Sequence, residues 1–254
     1  MEKIKISAVS YLNTKPMLFG LVKSDINAQI ELKLDIPSVC ADKLMRGEVD
    51  LGLVPVAVIP KLSNPHIVSD FCIGTVGAVK TVCIYSQVPI EEMTHLYLDF
   101  HSRTSVELAQ VLMKEYWEVK PILLEAKEGF EAKIAGRTGA VVIGDRTMGL
   151  DNKFPYVYDL GEYWMKHTGL PFVFAAWVAN RELPTEFLNK FNSALKNGVE
   201  AIPELMLLLP EKENFDLKIY FTQHISYDLD AEKRTALKLF LQKMKDKNLS
   251  LEMA

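Results

Sequence analysis

The fold of this chain is indicated at its start by the stretch ISAVSYLNTKPML, residues 6–18. From Lys3, apolar and polar residues alternate up to the polar turn, and this period of two predicts a β-strand. The residues that follow predict a helix capped by Asn13 or Thr14. Pro16 falls in the first turn of that helix, where a missing backbone N–H does no harm. The stretch therefore predicts a strand, a polar turn and a helix.

The turn itself holds more hydrogen-bonding side chains than one helix cap requires, because Ser10, Tyr11, Asn13 and Thr14 fall within five positions. In open α/β sheets, ligands bind at the carboxyl ends of the strands beside helix N-termini, where backbone N–H groups and the helix dipole favour an anion. Two interpretations stay open. The turn is a cap with spare polar residues, or its side chains also contact a ligand.

The same pattern recurs in LYLDFHSRTS, residues 96–105. Ser102, Thr104 and Ser105 can cap a helix or hold a carboxylate, and Arg103 can pair with the same anion through two hydrogen bonds. Two such helix starts facing each other across a cleft would suit a ligand with two carboxylates. An ordinary helix cap is the alternative here as well.

Two further segments contribute candidate residues. In IGDRT, residues 143–147, Gly144 allows close backbone approach and Asp145 could act as a general base, although an Asp–Arg surface pair is the simpler interpretation. LVPVAVIP, residues 53–60, is typical of a buried strand that ends at a proline, and Pro55 could line a pocket. His101, beside Ser102, is interpreted as incidental.

Composition narrows the class of protein. The chain has 254 residues, of which 49% are hydrophobic and 24% charged, with a net charge of −4 and no basic run. These values predict a globular protein with neither a nucleic-acid nor a membrane partner. The N-terminal apolar segment is too short for a secretory signal, and no apolar stretch approaches the ~18 residues that span a bilayer, so we expect a cytoplasmic protein.

Cysteine and histidine usage argues against disulfides and metal ions. Cys40, Cys72 and Cys83 lie in apolar surroundings without a CxxC pair, which favours buried reduced thiols. The five histidines are scattered along the chain, so no zinc site is predicted.

Strands alternating with helices predict an α/β architecture with mainly parallel sheet, and the doubled strand–turn–helix pattern predicts two α/β lobes. Candidate crossovers are the break at Gln87–Pro89 and the apolar strand at 171–180. The predicted lobes are residues 1–87 plus 181–254, and residues 88–180. Ser38 is predicted to cap the second helix. Four apolar residues form a predicted buried stripe on the helix after residue 103: Val106, Ala109, Met113 and Tyr116.

Taken in order, five segments resemble the chorismate dehydratases of the futalosine route to menaquinone: SYLNTKP, GEVDLGLVP, SRTS, IGDR and PFVFAAWV. SYLNTKP with SRTS is specific, whereas GEVDLGLVP occurs more widely among periplasmic-binding-protein-like chains. The resemblance implies a type II periplasmic-binding-protein-like fold with two α/β lobes around a central cleft. It also implies a cytoplasmic enzyme without metal or organic cofactor, which removes water from chorismate to give 3-[(1-carboxyvinyl)oxy]benzoate.

On this resemblance we assign roles to the candidate residues. One carboxylate is expected at Ser102, Arg103, Thr104 and Ser105, with Thr104 and Ser105 in direct contact. The ring, its hydroxyl or the other carboxylate is expected at Ser10, Asn13 and Thr14, and Pro55 and Gly144 complete the predicted substrate site. Asn13 is the best single candidate for a catalytic polar group, although an amide would position or polarise rather than act as a strong base. The base is either Asp145 or the side-chain carboxylate of the substrate.

Two other functions stay open at this stage, and a third is disfavoured by length. The chain could be a non-catalytic binding protein for a small carboxylate, or the sister enzyme 1,4-dihydroxy-6-naphthoate synthase. A transcriptional effector domain would need a DNA-binding segment, for which 254 residues leave no room beside two lobes. Both a monomer and a homodimer are compatible with the sequence.

Overall fold

The computed structural model describes residues 3–150, 152–213 and 215–252, and side chains up to residue 246. The strands are β1 (Ile4–Val9), β2 (Ile30–Asp35), β3 (Leu51–Pro55), β4 (His66–Thr75), β5 (Val82–Ser86), β6 (His95–Leu98), β7 (Ile122–Glu125), β8 (Thr138–Ile143), β9 (Tyr156–Asp159), β10 (Phe172–Ala179) and β11 (Ser226–Asp228). The helices are α1 (Lys15–Lys23), α2 (Pro37–Met45), α3 (Thr104–Glu115), α4 (Leu160–Thr168), α5 (Thr185–Glu200), α6 (Ile202–Met206), α7 (Leu217–Ile219) and α8 (Ala231–Glu252).

The strands form two sheets. A six-stranded sheet has the order β11-β4-β10-β3-β1-β2, and a five-stranded sheet has the order β7-β6-β8-β5-β9. Both are mixed, which corrects the prediction of mainly parallel sheet. β1 pairs in parallel with β2 and β3, and β6 with β7 and β8. β5 and β10 run antiparallel to their neighbours, because each enters its sheet directly after the chain has crossed from the other sheet.

The chain changes sheets earlier than predicted at both crossovers. β5 belongs to the five-stranded sheet, so the first crossover runs through residues 76–81 rather than Gln87–Pro89. β10 pairs with β3 and β4 in the six-stranded sheet, so it belongs with the first lobe rather than with residues 88–180. The division of the chain into two domains stays a prediction.

The N-terminal prediction is confirmed. β1 is followed by a 3₁₀ turn at Leu12–Thr14 and then by α1, with Pro16 at its second position. Thr14 occupies the N-cap position but makes no side-chain capping hydrogen bond. The capping prediction for Ser38 is wrong, since α2 begins at Pro37, whose fixed φ angle favours the first helical position.

The predicted stripe on α3 is correct at its centre only. Ala109 and Met113 are buried, but Tyr116 is 38% exposed. Leu108 and Leu112 are fully buried instead, so the buried face is rotated toward them.

Three further features complete the description of the fold. Cys40, Cys72 and Cys83 are free and buried, as expected, and burial raises the pKa of the Cys40 thiol to about 11. α1 and α5 approach closely where Gly20 faces Gly198. In the part of the chain that the structure describes, no helix is long and apolar enough to cross a membrane.

Candidate functional site

A cleft with about 500 Å³ of empty space, open solvent included, lies between the two sheets. Strands β1, β3 and β8 end at this cleft, and α3 begins there, so it lies where open α/β sheets bind ligands. The lining residues are Val9, Tyr11, Asn13, Pro37, Pro55, Ile73, Val79, Thr81, Val82, Ser102, Thr104, Ser105, Ile143, Gly144, Phe174 and Ala175.

Predicted site residues divide between this lining and its surroundings. The lining includes Asn13, Pro55, Ser102, Thr104, Ser105 and Gly144. Residues that were predicted to contact substrate but are not part of the lining are Ser10, Thr14, Arg103 and Asp145. The starts of α1 and α3 therefore border one shared cleft, as the two sequence motifs predict.

On the α1 side, Asn13 is held at both its backbone and its side chain. The Tyr227 hydroxyl donates to the Asn13 backbone carbonyl at 2.9 Å, and the Thr14 hydroxyl donates to Asn13 Oδ1 at 3.2 Å. Thr14 is buried behind Asn13 and supports it. The Ser10 side chain is exposed, and its backbone N–H donates to the Asp35 carbonyl at 2.9 Å.

The start of α3 uses its hydroxyl groups in different ways. Ser102 caps the helix, because its Oγ accepts a hydrogen bond from the Ser105 backbone N–H at 2.9 Å. Thr104 Oγ1 donates to the Phe174 carbonyl at 2.9 Å and accepts from the Ala57 N–H at 3.2 Å. The Thr104 hydroxyl is thus engaged within the protein, whereas the Ser102 hydroxyl still has its proton to donate.

Arg103 does not face the cleft. Its side chain is exposed, and its guanidinium lies 3.7 Å from Asp42 Oδ1 on α2. The expectation that Arg103 pairs with the ligand carboxylate does not match this placement, because the first turn of α3 directs residue 103 outward while Ser102, Thr104 and Ser105 are buried.

Gly144 lets an aromatic ring lie directly over the end of β8. Its φ angle is +66°, and a Cβ atom there would lie 2.6 Å from Cε2 of Tyr11. The neighbouring Asp145 accepts a hydrogen bond from the Leu12 backbone N–H at 3.1 Å, and burial raises the pKa of this carboxyl. Asp145 therefore connects the polar turn after β1 to the end of β8 without forming part of the cleft lining.

Tyr11 reaches across to the other sheet. Its hydroxyl lies 2.6 Å from His101 Nδ1, and the two rings stack with centroids 6.3 Å apart. Burial raises the pKa of Tyr11, while burial and the nearby Arg146 guanidinium lower the pKa of His101. Since both shifts favour the neutral forms, this hydrogen bond joins a neutral phenol to a neutral imidazole. His101 is therefore not incidental, which corrects the sequence interpretation.

Arg146 lies behind this contact. It pairs with the buried carboxylate of Asp99 and, at 2.9 Å, with Glu131. Its guanidinium carbon lies 5.7 Å and 5.6 Å from the ring centroids of Phe100 and Phe130. The surface pair suggested for IGDRT is thus wrong, because Arg146 pairs with Asp99 rather than with Asp145.

Thr81, Tyr220 and Tyr227 were missed at the sequence level. Thr81 lines the cleft, and its Oγ1 lies 2.8 Å from the hydroxyl of Tyr220, which is buried in the π-helical turn Tyr220–His224. No motif marks these residues, and the chain brings them to the cleft only through the crossover and the C-terminal segment. Tyr11 was visible within SYLNTKP but was not assigned a role.

The cleft offers neutral hydrogen-bonding groups in an apolar wall. Among the described residues, those that line it include no Asp, Glu, Lys, Arg or His. Over the same part of the chain, no group of three or more His, Cys, Asp or Glu side chains could hold a metal ion. Hydroxyls, an amide and the N-terminal turn of α3 are suited to an anionic ligand of modest size.

Sequence comparison places this geometry among known proteins. A family model described as menaquinone biosynthesis matches residues 4–246. A chorismate dehydratase from Thermus thermophilus is 26% identical over 231 residues, which cover 82% of this chain and 84% of that protein. A chorismate dehydratase from Campylobacter jejuni is 26% identical over 249 residues, covering 95% and 98%. The resemblance drawn from the sequence motifs is thereby confirmed.

Comparison with solved structures identifies the fold. A protein from Archaeoglobus fulgidus matches with a TM-score of 0.73 at 14% identity, over 97% of this chain and 98% of that one. A Candida albicans protein described as having the generic periplasmic binding protein fold matches with a TM-score of 0.62 at 10% identity, over 94% and 90%. The α/β, periplasmic-binding-protein-like fold is therefore confirmed.

Proposed function

The chain belongs to the menaquinone biosynthesis family, and from that membership we propose that it is a chorismate dehydratase, a hydro-lyase that forms 3-[(1-carboxyvinyl)oxy]benzoate and water. Two relatives that each span more than four fifths of the chain are chorismate dehydratases. The motifs SYLNTKP and SRTS imply the same reaction through their resemblance to this family.

The single observation that carries the proposal is the shared cleft. One cavity between the sheets is lined by Asn13, in the turn before α1, and by residues at the start of α3, which are Ser102, Thr104 and Ser105. Chorismate carries two carboxylates, and two helix starts offer an anion-favouring end to each. A site for a ligand with one carboxylate would need only one helix start.

The chemistry suits neutral donors. A proton leaves the ring carbon that bears the enol ether, the hydroxyl leaves the neighbouring carbon, and the ring becomes aromatic as water is released. Negative charge that develops on proton loss spreads into the conjugated ring carboxylate, where hydrogen-bond donors fixed in advance would stabilise it. Ser102 and the first backbone amides of α3 are the donors we propose for that carboxylate.

Asn13 is proposed as the polar group that positions the reacting centre, since it lines the cleft, with its side chain bonded to Thr14 and its backbone carbonyl bonded to Tyr227. For the base, the structure favours the second of the two sequence-level candidates. Asp145 is hydrogen-bonded to Leu12 outside the lining, so we propose that the side-chain carboxylate of the substrate takes the proton.

Incubation with chorismate tests the proposal. We expect the aromatic product to appear by absorbance and its mass to be chorismate minus water. Asn13→Ala should lower turnover severely, and Asn197→Ala, on α5 away from the cleft, is the control. Chorismate binding without turnover would instead indicate a carboxylate-binding protein, and activity on the later intermediate of the route would indicate the naphthoate synthase. The cytoplasmic location and the choice between monomer and homodimer stay predictions.

A further inference from the structure

The pair formed by Thr81 and Tyr220 carries an inference that rests on the proposed function. We propose that Tyr220 donates its hydroxyl proton to Thr81, so that the Thr81 hydroxyl is held as a hydrogen-bond donor to an oxygen of the bound substrate. Thr81 would then be a catalytic residue and Tyr220 a positioning residue. Neither residue belongs to a motif of the sequence analysis.

The direction of the hydrogen bonds follows from what surrounds Asn13. Thr14 Oγ1 donates to Asn13 Oδ1, so the amide oxygen is turned toward Thr14 and the amide N–H₂ is the group left to face Tyr220. Burial raises the pKa of Tyr220 and Asn13 lowers it, the latter being the effect expected of a side-chain donor that faces the phenol oxygen. With the amide N–H₂ on that side, the one proton of the Tyr220 hydroxyl is left to be donated elsewhere.

Thr81 is the acceptor for that proton. Its Oγ1 lies 2.8 Å from the Tyr220 hydroxyl, the usual distance for a hydrogen bond between two hydroxyls. A threonine hydroxyl that accepts from Tyr220 has its own proton left to donate, and Thr81 lines the cleft. Hydrogen bonds in such a series strengthen one another, which makes the final O–H a better donor.

The backbone around Thr81 holds this donor in place. The Thr81 carbonyl accepts a hydrogen bond from the Gly144 N–H at 2.8 Å, and Thr81 is 1% exposed. Tyr220 is buried to the same extent. The first crossover therefore brings a fixed hydroxyl to the cleft wall beside Gly144.

Steady-state kinetics with chorismate test the inference. Thr81→Val keeps the shape of the side chain but removes the hydroxyl, and we expect kcat/KM to fall about 10- to 100-fold, the range for a hydrogen bond to a charged group. Thr81→Ser should recover most of that loss. Thr168→Val, at the end of α4, removes a hydroxyl that donates to the Trp164 carbonyl away from the cleft and serves as the control.

A double-mutant cycle tests the part played by Tyr220. Tyr220→Phe should lower kcat/KM less than Thr81→Val does, because Thr81 keeps its hydroxyl but loses its orientation. The double variant should be no worse than Thr81→Val alone. Losses that multiply, or Thr81→Val activity within twofold of the wild type, would overturn the inference.

Measurements on the free protein keep the inference separate from the proposed function. The buried Tyr220 hydroxyl proton should exchange slowly enough to be seen by NMR, and its signal should move in Thr81→Val; a signal that does not depend on Thr81 refutes the pairing. If the wild type binds chorismate without converting it, the proposed dehydration is wrong. In that case, weaker chorismate binding by Thr81→Val but not by Thr81→Ser would still support the Thr81 hydroxyl as a donor to the ligand. Equal binding by all three proteins would refute it.

Discussion

Gly144→Ala should disable the cleft while leaving the protein folded. Gly144 has a φ angle of +66°, where an alanine is strained by about 1–2 kcal/mol. Its Cβ would also lie 2.6, 2.7 and 2.8 Å from three atoms of the Tyr11 ring, which is too close for any carbon contact, so the ring must move.

Movement of Tyr11 has two consequences. The ring cannot keep its hydroxyl 2.6 Å from His101, and loss of that hydrogen bond costs a further ~0.5–1.5 kcal/mol. Since Tyr11 also lines the cleft, a displacement of about 1 Å at the site should lower kcat/KM on the order of 100-fold. Together these effects predict a loss of about 1.5–3.5 kcal/mol in the free energy of unfolding and a much larger relative loss of activity.

Gly169→Ala is the matched control. Gly169 ends α4 with a φ angle of +71°, and nothing lies within 4 Å of its would-be Cβ. Urea unfolding and chorismate kinetics should therefore show the strain of about 1–2 kcal/mol without the loss of activity. If both variants retain kcat/KM within threefold of each other, the contact between Tyr11 and Gly144 does not shape the site, and the reasoning is refuted.

Three other changes test the structure more briefly. Burial and Arg146 lower the pKa of His101 in the folded state, so its neutral form stabilises the fold above the unfolded pKa of about 6.5, and this contribution is lost as the pH falls below that value. Urea unfolding between pH 7 and 5 should therefore show a smaller decline in the free energy of unfolding for His101→Gln than for the wild type. Gly20→Ala places a Cβ 1.9 Å from the Ala194 carbonyl oxygen. The resulting overpacking should lower the denaturation midpoint by an amount that corresponds to about 1–3 kcal/mol in the free energy of unfolding. An unchanged midpoint would contradict the close approach of α1 and α5. Ser102→Ala should cost about 1 kcal/mol of stability through the lost cap and also raise KM for chorismate; a normal KM would limit Ser102 to capping.

Local sequence signals predicted the elements that need no information from elsewhere in the chain. β1, α1 and the apolar strand β10 follow from periodicity and from Pro16, which act within one turn or one strand. β4 was missed although it has ten residues, because Ser69 and Asp70 interrupt its apolar pattern. The structure compensates through Asn192 on α5, whose Oδ1 accepts from the Ser69 hydroxyl and the Asp70 N–H. Such compensation comes from 120 or more residues away and has no local signature.

At the candidate site too, local sequence predicted the position of a motif but not the tertiary contacts of its side chains. SRTS and IGDR were correct as positions at the cleft, but the sequence could not indicate which arginine lies near it. Arg103 faces Asp42, and Arg146 lies behind Tyr11 with Asp99. The choice depends on how the first turn of α3 and the 3₁₀ turn after β8 are rotated against the opposite sheet, which is set by packing. The same holds for His101, whose role depends on a tyrosine 90 residues earlier.

The absence of charged side chains from the described lining also bears on mechanism. Uniform binding of substrate and intermediate lowers KM without raising kcat, so only interactions that strengthen as charge develops accelerate the reaction. Neutral donors fixed by their own partners, such as the Ser102 hydroxyl at the start of α3, interact more strongly as negative charge grows on the oxygen they face. Arg146 lies behind the wall, paired with Asp99 and Glu131, where it lowers the pKa of His101 and so favours the neutral imidazole. Under the proposed function, fixed neutral donors in the lining, such as Asn13 and Ser102, would favour the intermediate over the substrate.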